Sequence, residues 1–344
     1  MIYLGIDTSN YKTSIAAIDD DKRILSNISE YLEVPLGNRG LRQSEAFFKH
    51  SNKLPELFSL LLKDINPTEL AAIGVSDKPR RVEDSYMPCF LAGVNLARVL
   101  SETLQIPLHY FSHQEGHAAA VMESSDNSDN AFIPDSTLFM HLSGGTTEIL
   151  KCSMDDHGYS MDIIGGTLDI SIGQLLDRFG VALGYPFPAG MYIDELASRY
   201  KGDSLPGIVP GIAVMDGYFN LSGPETVLMK YAEYYLEKHA VGEISTDNAY
   251  LYSDELAAVS YELIDRISDV LLITSRILTD AYKSEVIFMA GGVASSKVLR
   301  QIITEKLTNE KFTIRFGDAS LSGDNAVGTA LLTRRMHENS RRNI

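Results

Sequence analysis

Cysteine is nearly absent. Cys89 and Cys152 are the only two in 344 residues. That is too few for a disulfide framework, so a reducing compartment is expected. Long hydrophobic runs are missing too. The apolar stretch at 57–62 falls far short of the roughly 20 residues that a membrane-spanning helix needs. The opening Met1-Ile2-Tyr3-Leu4-Gly5-Ile6-Asp7 has no basic region and no long apolar core, so no signal peptide is expected and the predicted location is the cytoplasm. Positive charge is in deficit: 30 Lys and Arg stand against 46 Asp and Glu, for a formal net charge of −16. That argues against unaided, non-specific binding to nucleic acid, which needs a cationic surface. Nucleic acid held by a local patch or brought by a partner is compatible with it.

The remaining composition, 44% hydrophobic and 22% charged, is that of an ordinary globular chain, long enough for two domains with cores of their own. Basic residues cluster at Arg39, Arg42, Lys49 and Lys53, and again at Lys78, Arg80 and Arg81. Both clusters read as solvated faces. The tail Arg334-Arg335…Arg341-Arg342 reads as a frayed basic end.

The densest chemistry lies in Ser112-His113-Gln114-Glu115-Gly116-His117. Ser112 with Glu115 three residues on is a capping box, which predicts a helix start. His113 and His117 then share one helix face a turn apart, where two imidazoles can hold one metal ion. A bare HxxxH is a modest signal. It is not the HExxH of zinc proteases, because its acid is the third residue and belongs to the cap. His109 and His113 have the same spacing, but Pro107 and the apolar run around His109 read as strand.

Along the chain, residues 2–8 and 13–18 predict a hairpin whose tip, Thr8-Ser9-Asn10-Tyr11-Lys12, carries small hydroxyl residues suited to phosphate. Helices are predicted at 44–63 and 91–104, and strands at 70–76 and 106–111. The polar stretch 124–130 is the candidate domain boundary or lid. A second hairpin follows: strand 137–142, the tip Ser143-Gly144-Gly145-Thr146-Thr147, and a return at 148–152. Two such tips, each opening about half of the chain, suggest a duplicated unit. Gly165-Gly166-Thr167-Leu168-Asp169 leads into a helix at 171–183 carrying Asp177. A rigid turn runs to Gly190, with Asp194 just beyond. Helices at 226–238 and 252–282 form an insertion. A buried strand at 285–290 ends in Gly291-Gly292-Val293 and opens a helix at 295–308, a seat for a nucleotide. After a strand at 312–316, Ser322-Gly323-Asp324-Asn325-Ala326 opens the last helix, to Met336.

Taken in order, these pieces resemble the TsaD family, the tRNA N6-threonylcarbamoyladenosine synthases formerly taken for O-sialoglycoprotein endopeptidases. The resemblance rests on Leu4-Gly5-Ile6-Asp7-Thr8-Ser9, His113-Gln114-Glu115-Gly116-His117, Leu142-Ser143-Gly144-Gly145, Gly166-Thr167-Leu168-Asp169, Leu176-Asp177-Arg178-Phe179, Ala290-Gly291-Gly292-Val293 and Asp324-Asn325-Ala326. It implies an α/β fold of two ribonuclease-H-like lobes of the actin/hexokinase/Hsp70 ATPase type. The lobes would be 1–130 and 131–344, with a helical insertion at about 170–285 and a last helix that packs back on the first lobe. It implies one divalent metal ion, iron or zinc with magnesium as a third choice, held by His113, His117 and Asp324. It implies an ATP- or AMP-type nucleotide or acyl-adenylate, lined by Thr8, Ser9, Leu142, Ser143, Gly144, Gly145, Thr146, Asp177, Gly190, Asp194, Gly291, Gly292 and Ser296. The family reaction moves threonylcarbamoyl from its adenylate to N6 of adenosine 37 of tRNA, so tRNA and protein partners are expected. A homo- or heterodimer is compatible with this, and no membrane is involved.

The chain departs from the family at what would be the reacting end. Asn10-Tyr11-Lys12 stands in place of Cys-Asp-Glu, and Lys12 is the candidate that neutralises phosphate charge. Thr146 replaces a His and Ser296 an Asn. Asp77-Lys78-Pro79-Arg80-Arg81 stands where Gly-Pro-Gly is expected, and Ser222-Gly223-Pro224-Glu225-Thr226 where a Lys is. The expected activity is therefore the tRNA-modifying acyltransferase, with catalytic candidates Lys12, Gly144 and Gly145. The alternatives are a paralogue using a carbamoyl- or acyl-adenylate on another acceptor, and a non-catalytic partner of a true synthase.

Overall fold

The computed structural model describes residues 1–9, 11–34, 41–123, 137–155, 158–239 and 253–342. Asn10, Arg39 and the boundary stretch 124–130 lie outside them. The chain begins with β1 (Ile2–Asp7), β2 (Lys12–Asp19), β3 (Ile24–Tyr31), α1 (Gln43–Leu61), β4 (Leu70–Lys78), α2 (Leu91–Leu104), β5 (Leu108–Ser112) and α3 (His113–Met122). These strands form one sheet in the order β3-β2-β1-β4-β5. The first three make an antiparallel meander, and β4 and β5 lie parallel to β1.

The second half repeats the pattern. It contains β6 (Thr137–Leu142), β7 (Thr147–Asp155), β8 (Gly158–Thr167), α4 (Ile172–Ala182), α5 (Gly190–Arg199), β9 (Val214–Met215), β10 (Tyr218–Phe219), α6 (Ser222–Lys238) and α7 (Asp254–Tyr282). After these come β11 (Val286–Ala290), α8 (Lys297–Lys306), β12 (Thr313–Phe316), α9 (Ala319–Ser322) and α10 (Val327–Arg342). The sheet order is β12-β11-β6-β7-β8-β10-β9. Without the short β9 and β10 it is the first sheet again, an antiparallel meander with two parallel strands beside its first member.

The leading strands β1 and β6 are buried at every residue. A strand covered on both faces reads as a continuous apolar run, which is what Ile2-Tyr3-Leu4-Gly5-Ile6 and Thr137-Leu138-Phe139-Met140 are. α1 to α4 begin within a residue of where the sequence predicts, whereas α6 begins at Ser222, ahead of the predicted 226, and α5 forms where the sequence predicts only a turn. The Ser112 and Ser171 capping boxes both form, satisfying two otherwise orphaned backbone donors at each helix start.

The helix that closes each half crosses to the other. α10 lies on β1 and β4 of the first sheet, α3 reaches β11 of the second, and the two helices pack on each other. One apolar cluster therefore fills the space between the sheets, joining Tyr3, Ala118, Ala119, Ala120, Phe139, Phe288, Ala330 and Leu331. Separate clusters cover the outer faces, under α1 and α2 on one side and under α4 to α8 on the other.

Several details differ from the sequence reading. β3 and β8 are full strands that periodicity did not single out, and Gly165-Gly166-Thr167 ends β8. The last helix runs past Met336 to Arg342. Arg334 and Arg335 are not frayed: Arg334 Nε donates to Asp20 O at 2.6 Å, and Arg335 pairs with Glu123 at 2.5 Å, whereas Arg341 and Arg342 are exposed. Lys49 and Lys53 do lie on a surface helix face, where Lys53 pairs with Glu30 at 2.8 Å. Arg80 and Arg81 are partly solvated, with side chains 40% and 37% exposed, and also reach across to Glu148 and Asp155 of the second sheet.

The crossing of α3 and α10 depends on glycine. A Cβ at Gly328 would collide with the carbonyl oxygen of Gly116, backbone that cannot rotate away. Gly328→Ala is expected to destabilise the chain by about 1–3 kcal/mol and to lower the thermal midpoint by several degrees, followed by circular dichroism. An unchanged midpoint would contradict tight packing at this crossing.

Candidate metal centre and cleft

The start of α3, the two leading strands and the link before α10 bring five polar side chains together. His113 and His117 come from the first two turns of α3. His117 is 3% exposed, and its Nε2 lies 3.0 Å from His113 Nε2. Asp324, in the link between α9 and α10, places Oδ1 3.3 Å from His117 Nε2 and 3.5 Å from His113 Nε2. Asn325 shapes that link, with its amide donating to Leu321 O and Gly323 O and its oxygen accepting from Val327 N. On the other side of His113, Asp7 at the end of β1 lies 3.1 Å from Nδ1. Ser9 Oγ holds Asp7 in turn, at 2.7 Å.

The sequence reading missed a third imidazole. His141, on β6, is 3% exposed, and both of its ring nitrogens are buried without a hydrogen-bond partner. Ligand atoms of His113, His117 and His141 lie within 4.8 Å of one another. Around a four-coordinate ion with bonds of about 2.0–2.1 Å, neighbouring donors stand about 3.3 Å apart. The His113, His117 and Asp324 spacings match that value, and an orphaned imidazole points to the same requirement. The residues present fit a divalent ion. Asp7 fits the outer partner that fixes a ligating histidine's ring and tautomer, leaving His113 Nε2 for the ion.

The charges agree with this arrangement. Burial opposes a charge on His113, but Asp7 and Asp324 outweigh it and carry its pKa up to about 10. Burial and the neighbouring His113 cation keep His117 neutral, with its pKa lowered. Burial, with the other two imidazoles, holds His141 well below the ordinary value. Burial would raise the Asp324 carboxyl, yet the two histidines hold it well below the usual range.

The other residues predicted for the site fall into three groups. At the first tip, Thr8 Oγ1 donates to Cys89 O at 3.1 Å and accepts from Gly93 N at 3.2 Å. Half-buried Lys12 stacks its ammonium on the Tyr31 ring, 5.1 Å from the centroid, and Tyr11 meets Phe187 of the second lobe edge-on at 5.3 Å. At the second tip, Ser143 and Thr146 close the turn on each other, and Gly144 and Gly145 are exposed. Gly291 has φ +106, and a Cβ there would strike Leu142 O, so only glycine lets β11 end so close to that tip.

The third group lies deeper in the second lobe. Asp177 accepts from Ala189 N and Gly190 N at 2.8 and 2.9 Å, and burial raises its pKa. Asp194 accepts from Ser296 Oγ and from the backbone N–H groups of Lys297 and Val298 at 3.1 and 3.2 Å, tying α5 to the start of α8. These two carboxylates cap helix starts and make no direct contact with the histidine cluster.

Two ribonuclease-H-like sheets with crossing closing helices define the actin/hexokinase/Hsp70 class. Solved structures share the architecture. Full-length HypF in its phosphate- and nucleotide-bound form matches at TM-score 0.57 and 12% identity, over 98% of this chain and 55% of that one. Component A of the (R)-2-hydroxyglutaryl-CoA dehydratase of Acidaminococcus fermentans matches at 0.52 and 13%, over 98% and 99%. Identities this low establish the fold alone. Within the class, the chain belongs to the TsaD family, tRNA N6-adenosine threonylcarbamoyltransferase, whose family model matches residues 24–331. The tRNA N6-adenosine threonylcarbamoyltransferase of Thermotoga neapolitana is 28% identical, over 100% of this chain and 96% of its own. That of Methanopyrus kandleri is also 28% identical, over 98% and 88%.

With its pKa at about 10, His113 is protonated at pH 8 in the metal-free chain, so taking up a divalent ion displaces a proton from it. Calorimetric titration with zinc at pH 8, in buffers of different protonation enthalpy, is expected to show about one proton released. A binding enthalpy that ignores the buffer would contradict the charge state.

Proposed function

We propose that the chain is a metal-dependent acyltransferase that moves threonylcarbamoyl from threonylcarbamoyl-AMP to N6 of adenosine 37 of tRNA. The observation that carries the reading is the convergence of three imidazoles, His113, His117 and His141, with the half-buried carboxylate of Asp324 beside two of them, in the cleft of a chain that matches the family over residues 24–331. Iron or zinc suits imidazole with one carboxylate. When bound, the ion supplies a Lewis acid for the acyl-adenylate oxygens.

The chain's own residues do the rest. Thr8, Ser9, Leu142, Ser143 and Thr146 line the phosphate and carbamoyl end from the two tips. Gly291 and Gly292 flank the adenine. Asp177 with Gly190, and Asp194 with Ser296, fix the helix starts that shape the ribose side. The N6 lone pair attacks the carbamoyl carbon, a C–N bond forms, and the C–O bond to AMP breaks with the electron pair leaving on phosphate. The N6 proton passes to the departing phosphate or to water. N6 is a weak nucleophile, so positioning carries much of the rate. Backbone N–H groups of Gly144 and Gly145 stabilise charge on the carbonyl oxygen, and Lys12 offsets charge on the leaving phosphate.

With a net charge of −16, the chain takes tRNA through partner proteins. Among the described residues no helix is long and apolar enough to cross a membrane, and the proposed setting is the cytoplasm. One observation favours a second reading, the same chemistry on another acceptor: the first tip presents Tyr11 against Phe187 and Lys12 against Tyr31, an aromatic and cationic surface in place of two acids.

A single-turnover assay tests the proposal. Metal-loaded protein is mixed with preformed threonylcarbamoyl-AMP and unmodified ANN-decoding tRNA, with and without partner proteins, and digested nucleosides are analysed by mass spectrometry. Modified adenosine is expected, and His113→Ala should abolish it. No product under any partner condition, with metal still bound, would sink the tRNA reading and favour the other acceptor.

A further inference from the structure

The two leading strands bring a carboxylate to the edge of the histidine cluster that none of the steps above uses. β6 and β7 are antiparallel, and His141 pairs directly with Glu148. Residues opposite each other in an antiparallel pair project from the same face. Glu148 therefore enters the space between the lobes beside His141. Both its oxygens are taken there by the first lobe. Arg80, in the loop after β4, reaches Glu148 Oε1 at 2.6 Å. Gln114 Nε2, on the α3 turn that carries His113 and His117, donates to Glu148 Oε2 at 2.9 Å. The loop and the helix are joined as well, since Gln114 N donates to Pro79 O at 3.1 Å. The Glu148 side chain is only 13% exposed and Arg80 40%, so the clamp is anchored on its inner, carboxylate side and open to solvent on the arginine side.

The cluster itself is split in the same way. His113 and His117 stand on the first lobe's helix, while His141 stands on the second lobe's strand. An ion can engage all three imidazoles only when the lobes are closed at this edge. We propose that Glu148, clamped by Arg80 and Gln114, is the positioning residue that holds His141 in register with the α3 histidines and so sets the chain's affinity for its divalent ion. The proposal rests on reading the cluster as a metal site. The apparent dissociation constant of a site assembled in only a fraction of molecules rises as the inverse of that fraction. Loosening the clamp until a tenth of the chains are closed weakens binding about tenfold.

Charge alone and positioning predict opposite signs for one variant. Arg80→Gln removes a cation near the site. If Arg80 acts only through its charge, a divalent ion binds more tightly. If it acts through the clamp, binding weakens. Cobalt(II) titration of the full chain, followed by visible d–d absorption and by competition with a chelating dye, reads the affinity directly. Arg80→Gln and Glu148→Gln are each expected to weaken binding by about 10–100-fold. In a His141→Ala background, where the second lobe no longer supplies its imidazole, the same changes should shift affinity less than about twofold. Circular dichroism and the thermal midpoint establish that each variant is folded. Tighter or unchanged binding in Arg80→Gln, or equal losses with and without His141, would overturn the clamp while leaving the metal site standing. No cobalt binding by the unaltered chain would overturn the metal reading and the clamp together.

Discussion

The structure depends on one crossing, where α10 passes α3 so closely that Gly328 lies on the carbonyl of Gly116. Each helix ends one half of a duplicated chain and packs on the other half's sheet. The interior between the sheets is therefore a single apolar cluster shared by both lobes. Packing at interior density leaves little tolerance for displacement. That crossing brings the start of α3 beside the link before α10, and their polar side chains meet there.

Burying such groups is costly unless they are paired, and most of them are. Asp7 takes His113 on one side, His117 and Asp324 take it on the other, and the cap residues Ser112 and Glu115 satisfy the helix end. His141 stands out among the cluster's imidazoles, with neither ring nitrogen partnered. A buried imidazole without a partner, within 4.8 Å of two others, is what a metal site would leave in the absence of its ion. The electrostatics share the same logic: the site holds two carboxylates and one imidazolium, and a divalent ion taken up there would replace the proton.

The fold and half of the site could be read from the residues. The capping box located α3, the two hairpins announced the duplication, and the order of seven short motifs pointed to the family. What could not be read has a common physical cause. His141 sits in Thr137-Leu138-Phe139-Met140-His141-Leu142, where one polar residue in a buried strand looks like an ordinary core histidine. Its meaning comes only from α3, which is distant in sequence. Arg80 and Arg81 look like a solvated basic loop, because nothing local tells a solvated arginine from one whose carboxylate lies 68 residues away, as Glu148 does from Arg80. The tail looked frayed for the same reason, since Asp20 and Glu123, which hold Arg334 and Arg335, are far upstream. β3, with most of its residues exposed or half-exposed, has no buried run to mark it. Contacts within one turn or one hairpin leave a pattern in the sequence, and contacts between lobes do not.

Imidazoles from both lobes and one carboxylate are placed to converge on a single ion. X-ray absorption at the zinc edge of the zinc-loaded chain tests it directly, because outer-shell scattering counts the imidazole rings. Three imidazoles and an oxygen are predicted, falling to two imidazoles in His141→Ala. Two imidazoles in both proteins would contradict the account.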